Sequence, residues 1–370
     1  MADSEVLVEA NSDVPHNTSL PLLASPGERS LVVCKSGYGR YHSKVQLFTH
    51  SWLPEDPSAV KAIVYLIHGL HGHCVVFHEM AALFVQYGLA VYSHDNYGHG
   101  RSAGVKVLPP DFNFYWRDAV DRIREVSSLH PGVPVFAFGH SLGGLIVVDV
   151  MLELQKEAKP LSGAVLMSPA LGKNLNMSKL SVLEFLAAPV SKVLPSFPVP
   201  TNLKVSNFTS VRKKQLENLE DPLVYHGQPK LKHVVMITEA MDKIPAKTQQ
   251  LSTPYLLVSG DRDVITPLGP MRTFHQTAPD KLDKSFRVYA GMRHGLYQEK
   301  RDVRERLFQD MIQWVLERQK TSSPTADNSN SCLQQIGTVI EHNNYDSNTT
   351  VTENNSYATS IAAAAVVHEE

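Results

Sequence analysis

The stretch that decides the fold is PVFAFGHSLGGLIVVDV, residues 134–150. An apolar run of strand character ends at Gly139, a single hydroxyl follows at Ser141, and Gly143 and Gly144 open a second apolar run with helical spacing. A lone polar side chain at the sharpest bend of a buried segment is either an ordinary loop residue or a nucleophile pushed out of the fold. Residues 139–143 satisfy G-x-S-x-G, a pattern that arises by chance in about one chain in ten of this length. The five residues alone therefore decide little, and their setting decides more. A buried strand before the serine and an amphipathic helix after it form the strand–turn–helix setting that a nucleophile elbow needs. Small residues at 139 and 143 allow the tight turn, and Gly144 lets helix and sheet approach closely. The helix N-terminus adds N–H groups and positive potential where an oxyanion would develop.

A serine needs a base, and the base needs an orienting acid. On a sheet of this kind the acid and then the histidine follow the serine in chain order, each at a strand end. YLLVSGDRDVITP (255–267) runs a strand into Asp261 and Asp263, and FRVYAGMRHGLYQE (286–299) runs another into His294. Asp263 is preferred as the acid, because in an Asp-x-Asp turn one carboxylate, here Asp261, commonly caps the local backbone. His294 has no competitor at a strand end, since His275 falls in a helical pattern. YLIHGLHGH (65–73) has the form of an oxyanion loop, with the N–H of Leu70 pairing with that of Leu142. His68, His71, His73 and His78 raise the rival reading of a metal site. Beyond Cys74 and Glu79 they lack carboxylate or thiolate at ligand spacing, so neither a metal nor an organic cofactor is implied.

Working outward, short apolar runs recur: KAIVYLIHG, LAVYSHD, PVFAFGH, SGAVLMSP, PYLLVSGD and SFRVYAG. Continuous rather than alternating apolarity predicts strands buried on both faces of a parallel sheet. HEMAALFVQYG, FYWRDAVDRIREVSSLH, LIVVDVMLELQKEAK and RERLFQDMIQWVLERQ carry helical spacing between and after them. The alternation predicts an α/β fold with a doubly wound, mostly parallel sheet whose ligand site lies at the carboxyl ends of the strands. From about 172 to 246 the alternation lapses. SKLSVLEFLAAPVSKVLPSFPVP (178–200) is apolar on more than one face, and Pro189, Pro195, Pro198 and Pro200 are expected to break it into short pieces. That insertion reads as a helical cap over the site, or as an ordinary helical subdomain.

The 370 residues suffice for a full core, and 35 Lys and Arg against 37 Asp and Glu give no reason to expect nucleic acid as a partner. Three scattered cysteines (Cys34, Cys74, Cys332) argue against a disulfide framework or zinc site. The acidic start MADSEVLVEA does not have the form of a signal peptide, and no apolar stretch approaches a membrane span. The expectation is a cytoplasmic protein. Residues 1–28 read as a flexible arm, 29–318 as the catalytic domain, and 319–370 as a disordered Asn/Ser/Thr-rich tail.

Taken together, the HG after the first core strand, HDNYGHGRS (94–102), FGHSLGG (138–144) and GMRHGLYQE (291–299) resemble the monoacylglycerol lipase and lysophospholipase-like branch of the α/β-hydrolases, over about residues 30–318. The resemblance implies Ser141, Asp263 and His294 as a catalytic triad, with Leu70 and Leu142 as backbone oxyanion donors. It also implies a cap that contacts membrane and admits an acyl chain, and a bracing role for Asp95 and His99. The implied activity is hydrolysis of a fatty-acid ester, monoacylglycerol first, with lysophospholipase, general carboxylesterase and a non-catalytic binding protein as the alternatives. A carboxylate nucleophile, as in epoxide or dehalogenase chemistry, is disfavoured by the serine. In one respect the chain departs from the family: where its members carry a polar clamp for glycerol, this sequence has Gly72, Val76 and Tyr297. His71, His73 or Tyr297 are the candidates to replace that clamp.

Overall fold

The computed structural model describes residues 6–8, 32–173, 181–201 and 203–319, with side chains described for all but 6–8 and 181–186. The six apolar runs become β4 (Ala62–Ile67), β5 (Leu89–His94), β6 (Val135–His140), β7 (Gly163–Met167), β8 (Tyr255–Gly260) and β9 (Lys284–Tyr289). They are buried on both faces because alternate residues serve two cores. In β4, Ile63, Tyr65 and Ile67 join one hydrophobic cluster while Ala62, Val64 and Leu66 join the other. In β6, Val135 and Ala137 face the first, and Phe136 and Phe138 the second. The first cluster is completed by α2 (Asn113–Leu129), α3 (Leu142–Leu154) and α8 (Leu268–Thr277), and the second by α1 (His78–Gln86) and α9 (Arg301–Gln319). Each large apolar side chain so enclosed contributes roughly 1.5–3 kcal/mol relative to exposure.

Three more strands extend the sheet: β1 (Val6–Val8), β2 (Val32–Arg40) and β3 (Gln46–Pro54). The order is β1-β9-β8-β7-β6-β4-β5-β3-β2. β3 runs antiparallel to both its neighbours, and every other pairing is parallel. This is the doubly wound, mostly parallel architecture that the alternation predicts. The β2–β3 hairpin has no counterpart among the six runs, because most of β2 is exposed and carries Lys, Ser, Gly and Arg. Val6–Val8 falls within the stretch expected to be a flexible arm and pairs with Arg287–Tyr289, an edge position suited to a short β-branched run. The rest of that arm lies outside the described residues, as does the tail beyond Gln319.

Between β7 and β8 sit α4 (Ser181–Val193), α5 (Arg212–Glu220), α6 (Leu231–Asp242) and α7 (Ile244–Thr248). Pro189 does not end the apolar helix but sits inside α4, which continues to Val193. Its ring is exposed, and the next turn is held by Leu194 N–H donating to the Val190 carbonyl at 2.8 Å. The missing proline donor therefore weakens the helix without breaking it. Pro195, Pro198 and Pro200 do follow the helix end.

Candidate active site

Ser141 occupies the junction of β6 and α3 with φ 56° and ψ −117°, a region costly for any residue but glycine. The backbone around it supplies the restraint. Its N–H donates to the Met167 carbonyl at 2.9 Å, and its own carbonyl accepts from Gly144 and Ala170, each at 3.0 Å. A methyl group at Gly139 would collide with the Gly143 carbonyl, and one at Gly143 with the Ile67 carbonyl. The elbow thus presses against the end of β4, where the loop bearing Leu70 begins. Neither the Leu70 nor the Leu142 N–H has an acceptor among the described residues, leaving two donors flanking the elbow.

Opposite, the loops after β8 and β9 bring Asp263 and His294 together. His294 Nδ1–H donates to Asp263 Oδ2 at 2.8 Å, and the two side chains are 1% and 0% exposed. Asp263 Oδ1 accepts the N–H groups of Ile265 (2.8 Å) and Thr266 (2.9 Å), and the Thr266 hydroxyl reaches Oδ2 at 2.7 Å. Burial alone would raise this carboxyl; the His294 ring and the hydrogen bonds from His294 and Thr266 outweigh it and hold the group below its ordinary value. Asp261 is exposed and accepts the Gly291 N–H at 2.7 Å, tying the two loops. His294 Nε2, the nitrogen a general base would use, is buried without a partner among the described residues.

The His294 ring sits between His140 (centroids 4.8 Å apart) and Phe208 of the cap (5.3 Å). His140 Nε2 lies 3.0 Å from the His294 carbonyl. Burial, then the neighbouring His294, pushes the His140 ring down to about 3, so near neutral pH it is uncharged and its Nε2–H donates to that carbonyl. Glu299 is buried and accepts from Arg293 N–H (3.1 Å), Ser210 N–H (3.0 Å) and Ser210 Oγ–H (2.5 Å). Gly295 N–H donates to the Phe208 carbonyl at 2.6 Å, and the Arg293 guanidinium donates to the Ser206 carbonyl. Cap residues 206–210 therefore grip the loop that carries His294.

At its other end, the same segment grips the loop that bears Leu70. His73 Nε2 pairs with Asp221 Oδ2 at 2.8 Å, and Tyr225 N–H donates to the His71 carbonyl at 3.0 Å. Asp95 ties the loop after β5 to the start of α1, accepting Cys74 N–H at 2.7 Å and Arg101 N–H at 2.8 Å. His68 is fully used, since its Nδ1–H reaches the Gly69 carbonyl and its Nε2 accepts the Asn96 N–H. His78 accepts the indole N–H of Trp52 at 3.0 Å. His68, His73 and His78 are thus turned to separate partners, and among the described residues no three His, Cys, Asp or Glu converge as a metal site.

At the positions expected to bear a polar clamp, Val76 packs on the core beneath α1, and Tyr297 stands edge-on to Phe77 (5.0 Å) and His140 (5.1 Å). Thr266, His140, Phe208 and Glu299 are neighbours of the site that motif reasoning did not single out. Thr266 had a local signal, the D-x-x-T spacing of a carboxylate-capped turn. Phe208 and Glu299 meet only through the folded cap.

The family described as serine aminopeptidase, S33, matches residues 58–301. Human monoglyceride lipase is 28% identical over 280 residues, covering 75% of this chain and 88% of that protein. Monoacylglycerol lipase of Mycolicibacterium smegmatis is 28% identical, covering 74% and 93%. Caffeoylshikimate esterase of Arabidopsis thaliana is 26% identical over 289 residues, covering 76% and 85%. Among solved structures, a soluble variant of monoglyceride lipase from Saccharomyces cerevisiae superposes with a TM-score of 0.69 at 19% identity, covering 81% of this chain and 99% of that one. Monoacylglycerol lipase of Paleococcus ferrophilus gives 0.62 at 25% identity, covering 74% and 99%.

Proposed function

The chain belongs to the serine aminopeptidase S33 family of α/β-hydrolases and is an ester hydrolase, and from that premise we propose that it cleaves monoacylglycerol to a free fatty acid and glycerol. The observation that carries the reading is the buried Asp263–His294 pair, whose bare Nε2 accompanies a serine held in a strained turn at a strand end. In this mechanism His294 Nε2 takes the proton of Ser141 as its Oγ attacks the ester carbonyl. Asp263 keeps the ring proton on Nδ1 and stabilises the imidazolium. The N–H groups of Leu70 and Leu142 receive the tetrahedral oxyanion, roughly 3 kcal/mol for each donor in comparable sites. His294 then protonates the leaving alcohol, and water repeats the cycle on the acyl-enzyme.

The substrate class draws its support from relatives named monoglyceride or monoacylglycerol lipase. A general carboxylesterase is the second reading, favoured by the absence of a charged side chain at Gly72, Val76 and Tyr297 and by the caffeoylshikimate esterase relative. The end of the cap helix supports a docking role on lipid: Val193 is 78% exposed, with Leu194 (52%) and Phe197 (55%) beside it in sequence. No helix among the described residues is long and apolar enough to cross a membrane, so this contact would be peripheral. The decisive experiment compares kcat/KM on monoacylglycerol, lysophosphatidylcholine and a p-nitrophenyl ester of one chain length. The expected result is the highest value on monoacylglycerol; a tenfold preference for either of the others would replace the reading.

A further inference from the structure

Ser168, the residue after β7, has φ 41° and is followed by Pro169. A left-handed serine is costly, and a following proline favours extended backbone instead. Strain of this kind persists only where the surroundings over-determine it. Here the Ser168 N–H donates to the Val258 carbonyl at 2.8 Å, and two residues on, Ala170 N–H donates to the Ser141 carbonyl at 3.0 Å. The turn aims the buried Ser168 carbonyl at the acid loop, where its one donor among the described residues is the Thr266 hydroxyl at 3.0 Å. The same hydroxyl oxygen lies 2.7 Å from Asp263 Oδ2 and 3.1 Å from His294 Nδ1. The loops after β7, β8 and β9 therefore meet at a single side-chain oxygen.

A hydroxyl has one proton to give, and here two buried acceptors stand within its reach. We infer that Thr266 is a positioning residue that divides this proton between Asp263 and Ser168 according to the charge on His294. While the ring is neutral, the shorter contact places the proton on Asp263 Oδ2, a charge-assisted bond that draws negative charge away from Nδ1. When Ser141 passes its proton to Nε2, the imidazolium competes for Oδ2, and the hydroxyl turns to the Ser168 carbonyl. That turn moves one hydrogen about the Cβ–Oγ1 bond, so no heavy atom shifts and no covalent bond changes. Thr266 Oγ1 then presents a lone pair to Nδ1–H beside Oδ2. The hydroxyl thus favours the neutral ring at rest without withholding Oδ2 from the charged one. The inference rests on the ester-hydrolase reading and adds the residue that sets the basicity of its base.

The titratable groups packed on the His294 ring are Asp263 and, from the end of β6, His140, which is uncharged near neutral pH; the cap contributes the apolar Phe208. Arg293 and Glu299, on the loop of His294, are bonded to cap residues 206–210. The acid limb of serine reactivity therefore reports the group made by Asp263, His294 and Thr266. The test follows the rate of fluorophosphonate labelling of the full chain from about pH 5.5 to 8.5, with circular dichroism at each pH to show that the fold is retained. Thr266→Val and Thr266→Ala both remove the proton, the first with the shape kept, and should move the acid limb up by about half a pH unit. Thr266→Ser keeps the hydroxyl and should return the limb to within about 0.2 of the wild-type position. An unmoved limb in either folded variant, or an equal movement in Thr266→Ser, overturns the role of Thr266. A wild type that the probe does not label at Ser141 overturns the hydrolase assignment, and this role with it; a labelled wild type confines any failure to Thr266.

Discussion

The nucleophile elbow and the exposed end of α4 are both apolar, yet they are built in opposite ways. At the elbow, β6 and most of α3 are buried, and two glycines stand where a single methyl would strike backbone. At the end of α4, Val190, Val193, Leu194 and Phe197 face outward. The first region uses apolar surface to exclude every conformation but one. The second leaves apolar surface unspent on folding, available for something outside the chain.

The sharpest way to break this contrast is at the elbow. Ser141→Ala should lower ester hydrolysis by a factor on the order of 10³ or more and abolish labelling by a fluorophosphonate probe. Undiminished turnover, or a label carried by another residue, removes the elbow from the chemistry. Acid comes next in size. Burial holds the rings of His94 and His99 down to about 4 and that of His140 to about 3, against an ordinary value of 6.5. Below 6.5 the unfolded chain binds protons that the folded chain refuses. The stabilisation is complete above that pH and is lost progressively as the pH falls toward 4, on the order of 1–2 kcal/mol per histidine by pH 5. Asp263, depressed in the fold, adds a loss only below the ordinary carboxylate range. Urea midpoints at pH 7.5 and 5 would show it, and equal midpoints would contradict it. The smallest effect on folding belongs to α4 and the turn after it. Replacing Val193 and Phe197 by Ser should change stability by no more than about 0.5 kcal/mol while reducing flotation with phosphatidylcholine vesicles roughly tenfold. Loss of stability without loss of flotation would mean that these side chains serve the fold.

What could be read in the sequence follows the same division. Strands buried on both faces announce themselves as continuous apolar runs, and β4 to β9 are all found where those runs lie. In the β2–β3 hairpin most of β2 is exposed, and the mostly buried β3 interleaves Thr49, His50 and Ser51 with its apolar residues, so neither leaves such a mark. The positions of Ser141, Asp263 and His294 at strand ends, and the pairing of the last two, follow from chain order, which is a linear property. Glu299 was visible five residues after His294, but its partner Ser210 is 89 positions away, and no local pattern connects them. Pro189 misled for a similar reason: propensity describes a helix interior, and only the folded chain shows that its ring has solvent beside it.

The double grip of the cap segment sets the seams along which this protein can be recombined. Residues 206–210 are bonded to the loop carrying His294, and Asp221 and Tyr225 to the loop carrying Leu70. A graft confined to residues 181–201 would exchange the exposed apolar edge and leave both loops with their partners. A graft of the whole insertion would replace those partners together and place His294 and Leu70 in the hands of a foreign sequence. Diversification of what this scaffold admits is therefore cheap on one side of residue 203 and constrained on the other.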